Sequence, residues 1–416
     1  MKPADLRGRR VALLGLGIDV EAAIPAILEA EPGELFVLEE WTAAARDDLG
    51  PRFTAFTNLP EIDVAVRSPG FPLHRADVQA RVRRGLETVT PLGLWLSERG
   101  GARPTIAITG TKGKSTTSLL TATALEQLEI VAHVLGNIGV PPWTVAPDTT
   151  DTVVLEISSF QAADLPCAAP YSALTSIGDD HADWHGSTLQ YLADKARVFL
   201  APTCGAERWC GVLDDVDLPE PFTAVEFQKI SAPAGTVRRR NAKLAAATAL
   251  TVAGWFDEAA VDNLTAVLLD RYPELPGRFH RIANVGDVEY VDDTLASNPL
   301  GVVASLGEVQ TQTLTLVLGG ATRGAAFDDV YRALAERNQP TVVLTLDDAH
   351  ALRDALAATG ATVETVQDIE HAVARAHACT RAGGVVLFSP GMPTPDGQGR
   401  WHARSSRFCA AVDALR

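Results

Sequence analysis

The sequence predicts an α/β chain of three segments, each built on a largely parallel sheet. Three observations point there. Short apolar runs of strand type alternate with helix-compatible stretches, and this alternation restarts beyond about residue 280. A glycine-rich loop carrying Lys-Ser lies between a strand and a helix at residues 105–117. A length of 416 residues is more than one ordinary core accommodates.

In the first segment Arg10–Leu14 reads as a strand ending in Gly15-Leu16-Gly17, followed by a helix at Glu21–Leu28 and strands at Leu35–Leu38 and Val64–Val66. The second strand runs into Glu39-Glu40, where a dinucleotide fold places an acid for a ribose. Gly15-Leu16-Gly17-Ile18-Asp19-Val20 lacks the third glycine of an NAD fingerprint, so NAD is not expected. Ser68-Pro69-Gly70 closes the later strand and by itself reads as a plain turn, and Ala102-Arg103-Pro104 reads as a linker.

Ile106-Ala107-Ile108 then forms a strand, Gly110, Gly113, Lys114 and Ser115 a loop, and Thr116–Gln127 a helix. This is the physical recipe of a phosphate cradle. Glycines let backbone N–H groups converge on phosphate oxygens, and the helix N-terminus adds unpaired donors and partial positive charge. Lys114 can reach outer phosphates and the Ser115 hydroxyl can ligate Mg²⁺. The loop is compressed, with only Thr111 and Lys112 between Gly110 and the Gly113-Lys114 pair. Strands follow at Thr152–Ile157 and Ser172–Ile177 and helices at Leu189–Leu200 and Asn241–Ala253, with residues 201–240 reading as irregular. Beyond residue 280, strands are expected at Glu289–Val291, Leu314–Leu318, Thr341–Leu346 and Gly384–Phe388, and helices at Phe327–Arg337, Ala349–Ala358, Asp368–Arg381 and Arg404–Leu415.

Chemistry concentrates in the middle segment. Glu156 ends an apolar strand beside the phosphate loop, where it is either an Mg²⁺ ligand or a solvated strand-end carboxylate. Asp179-Asp180-His181-Ala182-Asp183-Trp184-His185-Gly186 is dense in metal-capable side chains and has no cysteine, which disfavours zinc. It reads as a second Mg²⁺ site or as a surface turn. Lys195, taken alone, reads as an exposed helix lysine.

Composition bounds the function. A net charge of −16 excludes a general nucleic-acid binder, although local loops can still take anions. No apolar run is long enough to cross a bilayer, and the start MKPADLRGRR has no apolar core of a signal peptide, so no membrane partner is expected. Five scattered cysteines without a CxxC pair indicate neither a disulfide framework nor a zinc site, and a cytoplasmic location is expected.

The motifs Gly110–Thr116, Gly136-Asn137-Ile138-Gly139, Glu156-Ile157-Ser158-Ser159-Phe160-Gln161, Asp180–Gly186 and Tyr191…Lys195 occur in one order and spacing that resembles the Mur ligases, in particular the MurD type that adds glutamate to UDP-N-acetylmuramoyl-L-alanine. The resemblance implies a Rossmann-like UDP-substrate domain at residues 1–101, a central P-loop ATPase domain with a parallel sheet at 102–279, and a Rossmann-like glutamate domain at 280–416. It implies ATP on Gly110, Thr111, Lys112, Gly113, Lys114, Ser115, Thr116, Asn241, Arg278 and Asp293, and two Mg²⁺ sites drawing on Ser115, Glu156, His181 and Lys195. In this family the lysine at the position of Lys195 is carbamylated by CO₂, which turns a cation into a carboxylate-like ligand. Lys114, His181, Lys195 and Arg278 would carry catalysis, and Gly17, Ile18, Glu39, Ser68, Pro69, Gly70, Asn137, Arg323, Ser389 and Thr394 would bind the two acceptor substrates. A monomer is expected, with UDP-N-acetylmuramoyl-L-alanine and glutamate as its partners.

Departures from the D-glutamate pattern are local. Leu295 stands where that pattern has a loop lysine, Lys112 where it has Asn, and Arg323 where it has Lys. Arg240 and Leu244 replace a His and an Asn that flank the adenine-contacting asparagine. The chain is more similar to the branch that adds L-glutamate, in whose pathway an epimerase follows. The alternatives are a D-glutamate-adding enzyme and a folylpolyglutamate synthetase-like ligase; the strand–helix segment preceding the phosphate loop disfavours the latter.

Overall fold

The computed structural model describes residues 1–38, 54–56, 60–73, 76–144, 150–206, 208–272, 275–309, 313–321, 325–337, 341–395, 397–399 and 401–416. Glu39 and Arg323 lie outside the described residues. The chain divides into two compact units, Met1–Arg271 and Tyr272–Arg416.

The first unit holds two parallel sheets. One contains β1 Arg10–Leu14, β2 Glu34–Leu38, β3 Thr54–Phe56, β4 Val64–Arg67 and β5 Glu87–Val89 in the order 3-2-1-4-5. Val11, Ala12, Leu13 and Val64, Ala65, Val66 are fully buried, as expected where a sheet is covered on both faces. The chain order reverses between β1 and β4, so the loops after these strands meet at a topological switch point. The Ile18–Glu29 helix springs from Gly17, and the Pro91–Arg99 helix is capped by Thr90, whose hydroxyl accepts from the Gly93 N–H at 3.1 Å.

The other sheet contains β6 Thr105–Thr109, β7 Ala132–Gly136, β8 Thr152–Glu156, β9 Tyr171–Leu174, β10 Trp209–Leu213 and β11 Gln228–Ile230, in the order 11-10-9-6-8-7 and all parallel. β6 lies between β8 and β9, which brings the loops after these three strands to one edge. The strands β10 and β11 correct the expectation of an irregular stretch over 201–240. Both are short and set among Asp, Pro and Gly, so no period marks them. The helix expected from Asn241 begins at Val237, capped by Thr236, so Asn241 stands one turn inside it rather than at its start.

The second unit holds β12 His280–Val285, β13 Val288–Asp292, β14 Leu314–Gly320, β15 Thr341–Asp347, β16 Thr362–Thr365 and β17 Val385–Gly391, in the order 12-13-17-14-15-16. β12 and β13 form an antiparallel hairpin and the remaining pairs are parallel. The Pro299–Glu308 helix packs beside β17 and is capped by Asn298, which accepts from the Gly301 N–H at 3.1 Å.

Candidate active site

Lys114 opens the Lys114–Gln127 helix, and Gly113 caps it in the left-handed region at φ 88°. A side chain on Gly110 would place its Cβ 2.1 Å from Thr175 Oγ1, and one on Gly113 would meet Asn241 Oδ1 at 2.8 Å. Both positions therefore require glycine. The loop is fastened to the segment after β9: Thr111 N–H donates to the Ser176 carbonyl at 2.9 Å, Lys112 N–H to Ser176 Oγ at 2.9 Å, and Thr175 Oγ1 to the Lys112 carbonyl at 2.5 Å. Lys114 Nζ folds back onto the loop and donates to the carbonyls of Gly110 at 3.0 Å and Thr111 at 3.1 Å.

Glu156, 1% exposed, faces this loop from the end of β8. Its Oε2 accepts from Ser115 Oγ at 2.5 Å and its Oε1 from Asn137 Nδ2 at 2.8 Å. A carboxylate and a hydroxyl at hydrogen-bond distance beside a phosphate-type loop are hard oxygen donors, and they fit Mg²⁺.

Lys195 is not an exposed helix lysine. It is 1% exposed, and its Nζ donates at 3.0 Å to the same Gly110 carbonyl that receives Lys114. The ammonium lies 4.9 Å from the centre of the Tyr191 ring. Burial pushes its pKa well down, and Lys114 and Lys112 push it further, while Asp180 opposes them. An ammonium cannot ligate a metal, so the donor set around His181 and Lys195 suits Mg²⁺ only if the lysine carries a carboxylate-like group. Among the described residues no three His, Cys, Asp or Glu side chains group closely enough to hold a metal by themselves.

The Asp-His run divides into two functions. His181 stands in the left-handed region at φ 50°, with an exposed side chain against the Phe160 ring at 4.8 Å. The half of the ring turned against the protein loses water, which lowers its pKa, opposed by Asp180 and reinforced by Lys112, Lys114 and Lys195. His185 turns inward. Its Nδ1 is 2.6 Å from Asp194 Oδ2 and its Nε2 3.0 Å from Ser159 Oγ, and all three residues are buried. This chain links the short helix bearing Phe160 to the helix bearing Lys195.

Loops of the first sheet meet this edge. Gly15 and Gly17 lie so close to Ser68 that a Cβ on either would approach it at 2.9 and 3.0 Å. Trp184 Nε1 donates to the Gly70 carbonyl at 3.4 Å, and Gln161 Nε2 to Asp19 Oδ2 at 3.3 Å. Ile18 is largely exposed. Arg67, which sequence reasoning missed, is the central fastening here. Fully buried, it binds Asp164 through two contacts of 2.7 Å, the Phe160 carbonyl at 2.7 Å and the Pro69 carbonyl at 3.1 Å. Its only sequence signal was an arginine ending an otherwise apolar strand.

In the second unit Arg278 is half-buried after Gly277, in a turn closed by its N–H to the Leu275 carbonyl at 3.0 Å. Asp293 is turned inward. It accepts from Ser305 Oγ at 2.6 Å, Ser389 Oγ at 2.7 Å and the Phe279 N–H at 3.1 Å. Burial nonetheless raises its pKa to about 6. Ser389 is fully buried, its hydroxyl on Asp293, whereas Thr394 is half-buried on the same loop. That loop meets the one after β14, where Ala321 N–H donates to the Pro393 carbonyl at 2.9 Å.

The description "Mur ligase middle domain" matches residues 108–212, and "Mur ligase, glutamate ligase domain" matches 277–392. A UDP-N-acetylmuramoyl-L-alanine–L-glutamate ligase of Micromonospora sp. is 31% identical, over 99% of this chain and 98% of its own. A UDP-N-acetylmuramoylalanine–D-glutamate ligase of Desulfatibacillum aliphaticivorans is 30% identical, over 99% of each. Among solved structures, the UDP-N-acetylmuramate-alanine ligase MurC of Thermotoga maritima shares the fold, with a TM-score of 0.56 at 17% identity over 98% of this chain and 100% of that one.

Proposed function

The chain belongs to the Mur ligase family, whose members are ATP-dependent ligases, and from that premise we propose that it joins glutamate to UDP-N-acetylmuramoyl-L-alanine in peptidoglycan precursor synthesis. The observation that carries the reading is the meeting of Lys114, Ser115, Glu156, Asn137 and Lys195 around the Gly110 loop, at the same sheet edge as the Ser68–Gly70 turn.

The alanyl carboxylate is a poor electrophile. Transfer of the ATP γ-phosphoryl group to it makes an acyl phosphate, the glutamate amine attacks, and phosphate leaves. Residues 110–116 cradle the phosphates through backbone N–H groups, and Lys114 swings from the loop carbonyls to neutralise the charge that develops in transfer. Asn241 faces the nucleotide from its helix, and Arg278 and Asp293 belong to the nucleotide-directed turn of the third domain. Ser115 and Glu156 would hold one Mg²⁺, and His181 with a carbamylated Lys195 a second. Bound there, Mg²⁺ supplies Lewis-acid neutralisation of phosphate oxygens. The depressed pKa of Lys195 favours the neutral amine, the form that adds to CO₂.

Gly17, Ile18, Ser68, Pro69, Gly70 and Asn137 would take the UDP-sugar substrate, together with Glu39. Arg323 and the Ser389–Thr394 loop would take glutamate. In this reading the domains span 1–101, 102–279 and 280–416, and the enzyme works as a cytoplasmic monomer upstream of an epimerase that corrects the new stereocentre. No helix among the described residues is long and apolar enough to cross a membrane.

A folylpolyglutamate synthetase-like reading has less support, because the glutamate-ligase relatives align along the whole chain, including the five-stranded sheet before the phosphate loop. Phosphate release measured with ATP, UDP-N-acetylmuramoyl-L-alanine and glutamate, together with the product mass, tests the proposal. Release should require all three substrates. Release with a pteroyl substrate in place of the UDP-sugar would overturn the assignment.

A further inference from the structure

The five cysteines look unrelated in the sequence, but the fold brings two of them together. Cys167 follows the short helix after β8, and Cys204 follows the helix that carries Lys195. The two segments run side by side. Ala168 N–H donates to the Pro202 carbonyl at 2.9 Å, and Cys204 N–H donates to the Ala168 carbonyl at 2.9 Å. Both thiols rest on one face of the Pro91–Arg99 helix and its end. Cys167 Sγ is 3.8 Å from Ser97 Oγ, and a Cβ on Gly100, one turn later, would stand 2.8 Å from Cys204 Sγ. Each thiol lies close enough to the other to shift its titration, and both residues are partly exposed. Gly101, which begins the link into β6, passes so close that a Cβ there would meet the Cys204 carbonyl oxygen at 2.0 Å.

We propose that Cys167 and Cys204 are a redox-active pair that a small peroxide converts to a reversible disulfide, stapling the two segments beneath the Gly100–Gly101 link. The Cys167 thiolate attacks one peroxide oxygen. The O–O bond breaks, the departing hydroxide takes a proton and leaves as water, and the sulfur becomes a sulfenic acid. The Cys204 sulfur then attacks that sulfenic sulfur. The S–O bond breaks, and the Cys204 proton leaves with the hydroxyl as a second water. Two thiols and one peroxide thus give one disulfide and two waters; the sulfur pair is oxidised and the peroxide oxygens are reduced. The environment assigns the roles. The Cys204 contact, and the Ser97 hydroxyl 3.8 Å away, lower the Cys167 thiol against burial, which favours its thiolate. The same contact, with burial, raises Cys204 and makes it the resolving thiol. Cys210, buried with its pKa raised by burial, and Cys379 and Cys409, in the other unit, have no part in this.

The inference is independent of the ligase reading. The experiment uses the full chain treated with hydrogen peroxide, followed by alkylation of remaining thiols, intact mass and peptide mapping. The expected result is the loss of two alkylatable thiols and two hydrogens, one linked peptide joining Cys167 to Cys204, and full reversal by dithiothreitol. Cys167→Ser and Cys204→Ser should each abolish that link, with Cys204→Ser leaving Cys167 to oxidise onward to the sulfinic acid. The oxidised chain should unfold at a higher temperature than the reduced one. Free thiols at both positions after peroxide has modified other cysteines would overturn the proposal, as would a link that joins either residue to a different cysteine or onward oxidation of Cys167 in the wild-type chain without a link.

Discussion

The two units treat buried charge in opposite ways. Around Gly110, Lys114 and Lys195 direct two amino nitrogens at one carbonyl, at 3.0 Å each, and Lys112 is near enough to depress Lys195 as well. Around Asp293, a single buried carboxylate collects two hydroxyls and a backbone N–H. A buried charge surrounded by donors is a brace. Like charges crowded in a low-dielectric place repel, and an anion entering among them relieves that cost. Burial alone therefore does not identify a functional group; the sign and sufficiency of its neighbours do.

The largest expected effect breaks the crowded side of this comparison. Lys114→Ala should lower ATP-dependent phosphate release on the order of 10⁴-fold, because neutralisation of the transferring phosphoryl group is lost. The thermal midpoint should hardly move, since removing one of two like charges costs the fold little. Near-normal turnover by a folded Lys114→Ala protein would remove the phosphate loop from the mechanism.

If Lys195 is the proposed carbamate ligand, Lys195→Ala should cost about 10³-fold in kcat, and short carboxylic acids should restore part of it by supplying oxygen ligands in place of that carbamate. Failure of every small carboxylate, together with a free amine at Lys195 in fully active, metal-loaded enzyme, would reduce the residue to a buried cation. His185→Ala, by contrast, should lose stability through its buried partners Asp194 and Ser159, by about 3 kcal/mol. Chemical denaturation of that variant checks this.

What was readable in the sequence follows the range of the interactions. The strand, loop and helix at residues 105–127 are local and were legible from Gly110, Gly113, Lys114 and Ser115, four positions within six residues. The pairing of Ser115 with Glu156, 41 residues apart, was half legible: each read as a candidate Mg²⁺ ligand by itself, and the family resemblance was needed to set aside a solvated carboxylate at Glu156. Arg67 was not legible. Its partners Phe160 and Asp164 lie 93 and 97 residues away, and an arginine after Val64-Ala65-Val66 looks like an ordinary strand end. Nor could Asp180–Gly186 reveal which histidine turns inward, since the left-handed backbone at His181 and the contact with Asp194 decide that. The hairpin strand β12 was missed because its residues are half-buried to exposed, with no apolar alternation to mark it.

The braced side of the comparison can be sharpened by titration. The Asp293 carboxyl takes up a proton near pH 6 in the folded state and near 3.8 unfolded. Between these values the native state binds more protons, so stability falls as pH rises through the window, by about 3 kcal/mol in all. Asp293→Asn keeps an acceptor for the Phe279 N–H at Oδ1, with its NH2 donating to the serine hydroxyls where Oδ2 accepted, and should flatten that slope. Thermal unfolding at about pH 4 and pH 7 decides. Parallel profiles for the two proteins would mean that the three donors hold Asp293 ionised throughout, a stronger brace than drawn here.

The smallest effect concerns the acceptor. A relative named for L-glutamate and one named for D-glutamate are 31% and 30% identical over 99% of the chain, so identity alone does not choose between them. The local cations can. A glutamate site must anchor two carboxylates and still aim the amine at the acyl phosphate, so inverting the stereocentre requires a different set of anchors. Leu295 lies against the turn that carries Arg278: its N–H donates to the Gly277 carbonyl at 2.8 Å, and its Cγ would be 3.4 Å from a Cβ on Gly277. A lysine there would add a point charge beside a guanidinium, whereas Leu295 offers none, and at position 323 the planar fork of arginine replaces an ammonium. We expect kcat/KM for L-glutamate to exceed that for D-glutamate by at least about tenfold, roughly 1.4 kcal/mol in transition-state binding. Leu295→Lys should narrow the ratio, chiefly by improving turnover of the D-enantiomer. Assays with each enantiomer at equal concentration measure it. Faster turnover of D-glutamate by the wild-type chain would make the Leu295 departure neutral and put stereochemical control elsewhere in the site.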